Sequence, residues 1–227
     1  WAACPRWATF QSADLVDAVE QLGGQWAVVF VDVQGSGRGG RRLASTLLRM
    51  TREHLASGLT AETAVLAVHQ HLHTLRQGKV GASIHVCEVD AINAQTAIAG
   101  LGMLSVATSA GDEWKTNAIE TTPAGFESTV EVATARCDFS AGTRIVLAND
   151  GVAHQARDLS SLLTDPQEQL DPEFNAECVL LRAIQRDSGR PRSDMAVAVI
   201  EHRMADPGNR ILGANVSVPV KRHGSDL

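Results

Sequence analysis

The run Trp26-Ala-Val-Val-Phe-Val-Asp-Val33 limits the fold more than any other segment of the chain. It is β-branched and aromatic, too short for a helix, and runs into the glycine cluster Gly35-Ser36-Gly37-Arg38-Gly39-Gly40, so it predicts a buried strand over 26–33. Asp32 is its only charge. From Arg41 the period changes. Leu43, Leu47, Leu48, Thr51 and Leu55 fall at helical spacing, with Arg41, Arg42, Arg49, Arg52 and Glu53 largely opposite, which predicts an amphipathic helix ending near Gly58. Thr60 and Thr63 open a second helix along Ala64, Val65, Val68, Leu72 and Leu75, closed by Gly78. Beyond it the pattern predicts strands over 80–89 and 94–100 about a turn at Asp90–Asn93, then short strands around 103–109, 114–119 and 129–137. A turn at Ser140-Ala141-Gly142 leads to a strand over 143–148, stopping at Asn149-Asp150-Gly151. Helices over 152–163 and 173–187 and a loop at Arg190–Ser193 precede a last buried strand from Met195 to Ile200. Hairpin-like strands after a pair of helices, without strict alternation, give an α+β fold with antiparallel sheets.

At 227 residues, 44% hydrophobic, the chain suits one domain with a substantial core. A formal charge of −6 and the lack of any Lys/Arg block argue against a nucleic-acid or anionic-membrane partner and favour metal cations. The longest purely apolar stretch, Trp26 to Val31, is far below the roughly 18 residues a membrane span needs, so the cytoplasm is the expected compartment. The sequence opens at Trp1 without a secretory pattern, as a trimmed piece of something longer does. Cys4, Cys87, Cys137 and Cys178 are scattered and are expected to be reduced and mostly buried. Residues 1–204 are expected to form the domain and 205–227 a loosely attached or disordered tail.

Acids recur at strand ends: Asp32 before Gly35-Ser36-Gly37, Asp150 before Gly151, Asp194 before the last strand, and Asp14 within Ser12-Ala13-Asp14. A carboxylate that ends a buried strand is fixed by the core behind it yet faces a loop, which suits hard cations such as Mg²⁺ or Mn²⁺. Several such groups repel one another unless a cation lies among them. Singly, each reads equally as a turn or an amide cap.

Val31-Asp32-Val33-Gln34-Gly35-Ser36-Gly37, Leu147-Ala148-Asn149-Asp150-Gly151-Val152 and Ser193-Asp194-Met195 through Ile200, in this order, resemble the metal-dependent type 2C serine/threonine protein phosphatases, and most closely their bacterial SpoIIE-like branch. The resemblance runs from about Ser12 to His202. It implies a two-sheet sandwich flanked by helices, with a dinuclear Mn²⁺ or Mg²⁺ centre at one end. Carried over by position, it implies that Asp32 bridges two metals, the Val33 carbonyl and Asp14 complete one shell, and Asp150 holds the other ion. Asp32 and Asp150 would then be the catalytic acids, supporting attack by hydroxide on a phosphoserine or phosphothreonine without a covalent intermediate. It also implies a phosphorylated regulatory partner of the anti-anti-sigma type, and sensor domains outside this chain. The family places an acid where Ser193 stands, Thr where Ala196 stands and Gly where Ala13 stands. Either Asp194 reaches the metal in a shifted register or the second site is depleted, leaving a weakened phosphatase fold that serves as a binding or regulatory module; a small-molecule phosphatase is a third reading.

Gly35-Ser36-Gly37-Arg38-Gly39-Gly40 also matches the dinucleotide fingerprint, but the second strand with its terminal acid is replaced by a helical pattern at 60–77. His69 and His73, one helical turn apart beside His71, have the spacing of a zinc pair, although a solvated or partly packed face accounts for them better. His85 and His154 are single candidates for a general acid, and Arg38, Arg41 and Arg42 for phosphate clamps. Ser36 has no His–acid partner at a recognisable spacing.

Overall fold

A computed structural model describes residues 1–7, 11–22, 25–35, 37–110, 113–163 and 171–203. In chain order these form β1 (Ala2–Cys4), β2 (Leu15–Glu20), β3 (Trp26–Val33), α1 (Gly37–Ala56), α2 (Ala61–Arg76), β4 (Ala82–Asp90), β5 (Gln95–Leu101), β6 (Met103–Ala110), β7 (Glu113–Glu120), β8 (Ala133–Asp138), β9 (Arg144–Ala148), α3 (Ala156–Leu162), α4 (Pro172–Arg186) and β10 (Met195–Glu201). The expected tail lies outside the described residues. Two five-stranded sheets result, ordered β1-β10-β9-β6-β7 and β2-β3-β4-β5-β8, and every pairing among them is antiparallel. A dinucleotide fold needs parallel strands beside its glycine loop, whereas β3 is flanked by antiparallel β2 and β4.

The unbroken apolar character of β3 follows from burial on both faces. Ala27, Val29 and Val31 face Leu43, Leu47 and Leu55 of α1 and Val65, Val68 and Leu72 of α2. Phe30 points the other way, into an inter-sheet core with Leu104, Ile145, Leu147 and Ala198. On the far side Leu159 of α3 and Val179 and Ala183 of α4 cover Val146 and Val197. The layers therefore run helix, sheet, sheet, helix. Each fully buried Leu of α1, such as Leu47 or Leu55, contributes about 2 kcal/mol of transfer free energy.

Three local outcomes differ from the sequence pattern. α1 begins at Gly37, four residues before Arg41, because its first turn carries glycines where the chain doubles back. A Cβ on Gly40 would lie 3.0 Å from the Gly35 carbonyl oxygen and 3.3 Å from Ala13 Cβ. α3 begins only at Ala156, since the preceding residues form a turn with Val152 and Ala153 fully buried. Of the cysteines only Cys87 is buried; the other three are half-buried, and all four are free.

Candidate metal centre

Strand alternation sends the acids to one place. Asp32 shares its face of β3 with Phe30, so it projects into the gap between the sheets at the end of the sandwich. Asp14 immediately precedes β2, beside β3 in the same sheet, while Asp150 follows β9 and Asp194 precedes β10 in the other. Asp32, Val33, Asp150, Ser193 and Asp194 line a common cleft of about 370 Å³, and Asp14 is buried behind it.

Asn149 fastens the two sheets at this point. It continues the inter-sheet face of Ile145 and Leu147, is buried, and donates from Nδ2 to Asp14 Oδ2 at 2.8 Å and to the Asp194 carbonyl at 2.9 Å. Its Oδ1 accepts the Ala196 N–H at 3.0 Å. Asp194 is tied as firmly: Oδ1 accepts the Arg6 N–H at 2.7 Å and Oδ2 the Ala13 N–H at 2.6 Å. The turn carrying Asp150 is held from α4, where Arg186 donates to the Val152 carbonyl at 2.6 Å and the Gly151 carbonyl at 3.2 Å. Residue 151 must be glycine for a separate reason, because a Cβ there would collide with the Asp194 carbonyl.

The electrostatics are those of acids crowded together. Burial first, then the charge of Asp32, pushes the Asp14 carboxyl up to about 10, and burial with the charge of Asp150 pushes Asp32 up to about 6, against hydrogen bonds from Asp14 and Asn149. Burial and the neighbouring charges thus favour the protonated form of Asp14, whose Oδ1 is buried with no hydrogen-bond partner. Among the described residues no three His, Cys, Asp or Glu side chains stand close enough to hold a metal ion. Asp14 and Asp32 come together as a pair, and Asp150 and Asp194 act on them through their charge. The donor chemistry nevertheless fits a hard divalent cation: oxygen ligands only, net negative charge, and a buried carboxylate oxygen lacking a partner.

The sign of these shifts fixes a pH dependence. A carboxyl whose folded-state value is raised stabilises the fold below the ordinary range near 3.9 and loses that contribution as pH rises through the raised value. Metal-free protein is thus expected to lose stability from about pH 4 through pH 6 as Asp32 ionises, and further toward the value of Asp14. Urea midpoints at pH 5 and pH 8 check this: Asp14→Asn should be the more stable protein at pH 8 by a larger margin than at pH 5, and an equal or reversed margin would count against it.

The remaining candidates separate clearly. Arg41 donates to the Ser12 carbonyl at 3.2 Å and so braces the segment before Asp14, while Arg38 and Arg42 are exposed and outside the cleft lining. His69 Nδ1 accepts the Gly125 N–H and His73 Nδ1 meets the Gly125 carbonyl, each at 3.1 Å, so the pair grips a loop. His85 is buried without a partner for either ring nitrogen, and His154 is exposed; neither lines the cleft. Ser36 lies outside the described residues. Sequence reasoning missed Asn149 and Arg186, whose partners are up to 135 residues away. A larger cleft of about 460 Å³ between edge strands β7 and β8 shares no lining residue with the acids. Lys115 lines it, the kind of inward charge that keeps an edge strand from pairing with another chain.

Two packed antiparallel sheets between helix layers, with strand-end acids meeting in an inter-sheet cleft, are the architecture that the resemblance to type 2C phosphatases implies. The family model described as Stage II sporulation protein E (SpoIIE) matches residues 22–203. The phosphatase domain and regulatory-domain fragment of the cell fate determinant SpoIIE from Bacillus subtilis superposes with a TM-score of 0.70 at 18% identity, over 87% of this chain and 60% of that one. The S. agalactiae serine/threonine phosphatase gives 0.72 at 12% identity over 89% and 98%. A chain from a structure of the bacterial stressosome gives 0.62 at 19% identity over 87% and 95%. No curated protein matches the sequence. The chain belongs to the SpoIIE family, and its fold is that of the bacterial type 2C serine/threonine phosphatases.

Proposed function

We infer that this chain hydrolyses a phosphoserine or phosphothreonine on a regulatory partner protein, with Mn²⁺ or Mg²⁺ at the acid cleft. The observation that carries this reading is the convergence of Asp32, Asp150 and Asp194 from separate strand ends on one open cleft, with Asp14 buried behind it and its Oδ1 without a partner. Asp14, Asp32, the Val33 carbonyl and Asp150 would hold two ions. Asp194 would add negative charge to the cleft, while both its oxygens secure backbone amides. When bound, such ions neutralise phosphoryl oxygens and lower the pKa of water. The chain's own contribution is positional. Asn149 orients Asp14, Arg186 holds the turn behind Asp150, and Gly151 lets that turn lie against β10. No helix among the described residues is long and apolar enough to cross a membrane. An anti-anti-sigma factor as substrate, in the cytoplasm, is supported by the family and by its SpoIIE and stressosome neighbours. Residues 1–204 act as the phosphatase domain, with 205–227 as a tail and sensor domains elsewhere.

Calorimetry with Mn²⁺ and Mg²⁺ on chelator-stripped protein, beside hydrolysis of a phosphopeptide and p-nitrophenyl phosphate, tests the reading. Two bound ions with metal-dependent turnover support it; no turnover at millimolar Mn²⁺ removes it.

A second reading, a weakened phosphatase fold that binds its partner without turnover, is favoured by one observation: exposed Ser193 occupies the cleft wall where the family places an acid. Ser193→Asp adds a charged oxygen donor there. It should tighten Mn²⁺ binding by about tenfold. Unchanged or weaker binding would mean that Ser193 does not stand at a ligand position.

A further inference from the structure

One lip of the acid cleft is cationic although the chain as a whole carries −6. It is made from two segments far apart in sequence. The chain leaving β1 donates its Trp7 N–H to the Pro191 carbonyl at 2.8 Å and its Arg6 N–H to Asp194 at 2.7 Å. The facing loop is built on the end of α4. Ser188 and Gly189 both take the left-handed conformation, at φ 56° and 75°, Gly189 N–H returns to the Ile184 carbonyl at 2.9 Å, and Arg190 N–H to the Asp187 carbonyl at 3.1 Å. The lip is thus a fixed surface rather than two loose ends.

Arg6 and Arg192 line the cleft together with Asp32 and Asp150. Arg190 does not. Its guanidinium carbon sits 5.6 Å from the centroid of the Trp7 ring, and the indole is 62% exposed. Asp32, Glu120, Asp150 and Asp194 line the cleft and repel an anionic substrate, so cations at the entrance offset that field for an approaching phosphate group. A single phosphate in the cleft meets the lining arginines, whereas Arg190 lies outside the lining, beside an exposed indole. Its exposed charge stands two residues along the loop from Arg192. An exposed tryptophan stacked with arginine is also the side-chain pairing that protein-binding surfaces favour for anchors.

We propose that Trp7 and Arg190, continuing outward from Arg192, form a docking surface for the segment flanking the phosphorylated residue, and that it selects segments bearing Asp or Glu. The partner it fits is an acidic phosphopeptide, with an apolar or backbone contact on the indole face. This inference rests on the phosphatase reading for the phosphate itself, but the docking surface is measurable without turnover.

The test uses the full chain and fluorescein-labelled peptides: a phosphoserine flanked by Asp and Glu, the same phosphoserine flanked by Lys and Arg, and the acidic peptide without phosphate. Anisotropy titrations at low and high salt give affinities, and phosphate release with Mn²⁺ is followed in parallel. The acidic phosphopeptide should bind about fivefold more tightly than the basic one at low salt, with the difference shrinking at high salt. Arg190→Glu should abolish or invert the preference, and Trp7→Ala should weaken both phosphopeptides while keeping their order. Arg190→Gln, a milder change, should lower the preference to an intermediate value. Equal binding of the two phosphopeptides, or a preference unchanged in both Arg190 variants, overturns the proposal. An intact acidic preference without phosphate release from any peptide or from p-nitrophenyl phosphate keeps the docking surface and removes the hydrolytic reading instead.

Discussion

Replacing Asp32 with Asn is expected to reduce metal-stimulated phosphomonoester hydrolysis by about 10³-fold or more while making the metal-free protein harder to unfold. The two effects have one cause. Asp32 ends β3 on the inter-sheet face, beside Asp14, with Asp150 and Asp194 adding charge from the other sheet. In the absence of a cation its ionised form is opposed by burial and by these neighbours, so an uncharged isostere relieves repulsion. The same neutralisation removes a carboxylate that, on the proposed reading, would hold the metal. Turnover at saturating Mn²⁺ and a urea midpoint at pH 8 without metal report the two sides. Activity near that of the unaltered protein, or a metal-free midpoint that falls, would sink the assignment. A merely structural aspartate would lose stability and activity together, which makes the opposite signs the informative result.

Asn149→Ala is expected to cost about 3 kcal/mol of stability. The side chain is 1% exposed and serves three partners: Asp14, the Asp194 carbonyl and the Ala196 N–H. Truncation leaves a buried amide and a buried carboxyl without them, and buried groups pay the desolvation cost in full when a partner is removed. Asn149→Asp is the sharper variant. It keeps the shape but replaces the amide donor with an acceptor and adds another negative charge beside Asp14 and Asp32. It should therefore destabilise at least as much as Ala at neutral pH, and less at pH 5, where the added carboxyl is more readily protonated. Chemical denaturation of both variants checks this. A loss below about 1 kcal/mol for Asn149→Ala would show that the sheets hold their register at the cleft without it.

Much of the architecture can be read directly from residue patterns. β3 has the bounds its apolar run predicts, and α2 begins where Thr60 caps it, accepting the Thr63 N–H. The two strands that escape such reading do so for different reasons. β2 is covered on both faces, with Leu15 and Val19 against the helices and Val16 in the inter-sheet core, so it lacks the alternation of a half-buried strand. β1 is three residues long and exists through its pairing with β10. The strand expected over 129–137 is shorter, from Ala133 to Asp138, and only its β5-paired portion forms the ladder.

The acids of the candidate site are legible because a charge at the end of an apolar strand stands out. Their supports are not. Asn149 looks like half of an ordinary turn, and Arg186 like a solvated charge closing a helix, until the fold brings Asp14 and the Gly151 carbonyl to them. Likewise nothing local to Ser193-Asp194 reveals that both Asp194 oxygens face backbone amides of the first thirteen residues.

The double tether at Asp194 has a mechanical consequence. β1 belongs to one sheet and β2 to the other, and the Arg6 and Ala13 amides that flank them both donate to the Asp194 carboxylate, so one side chain clips the two sheets together beside the acids. Tension on β1 is therefore delivered through Arg6 to Asp194, the same carboxylate that holds Ala13 just before β2 of the other sheet. A sliding of the sheets by a few tenths of an ångström is about what separates a good ligand distance from a poor one. The acid cleft is in this sense a strain gauge, and the N-terminal strand is its lever.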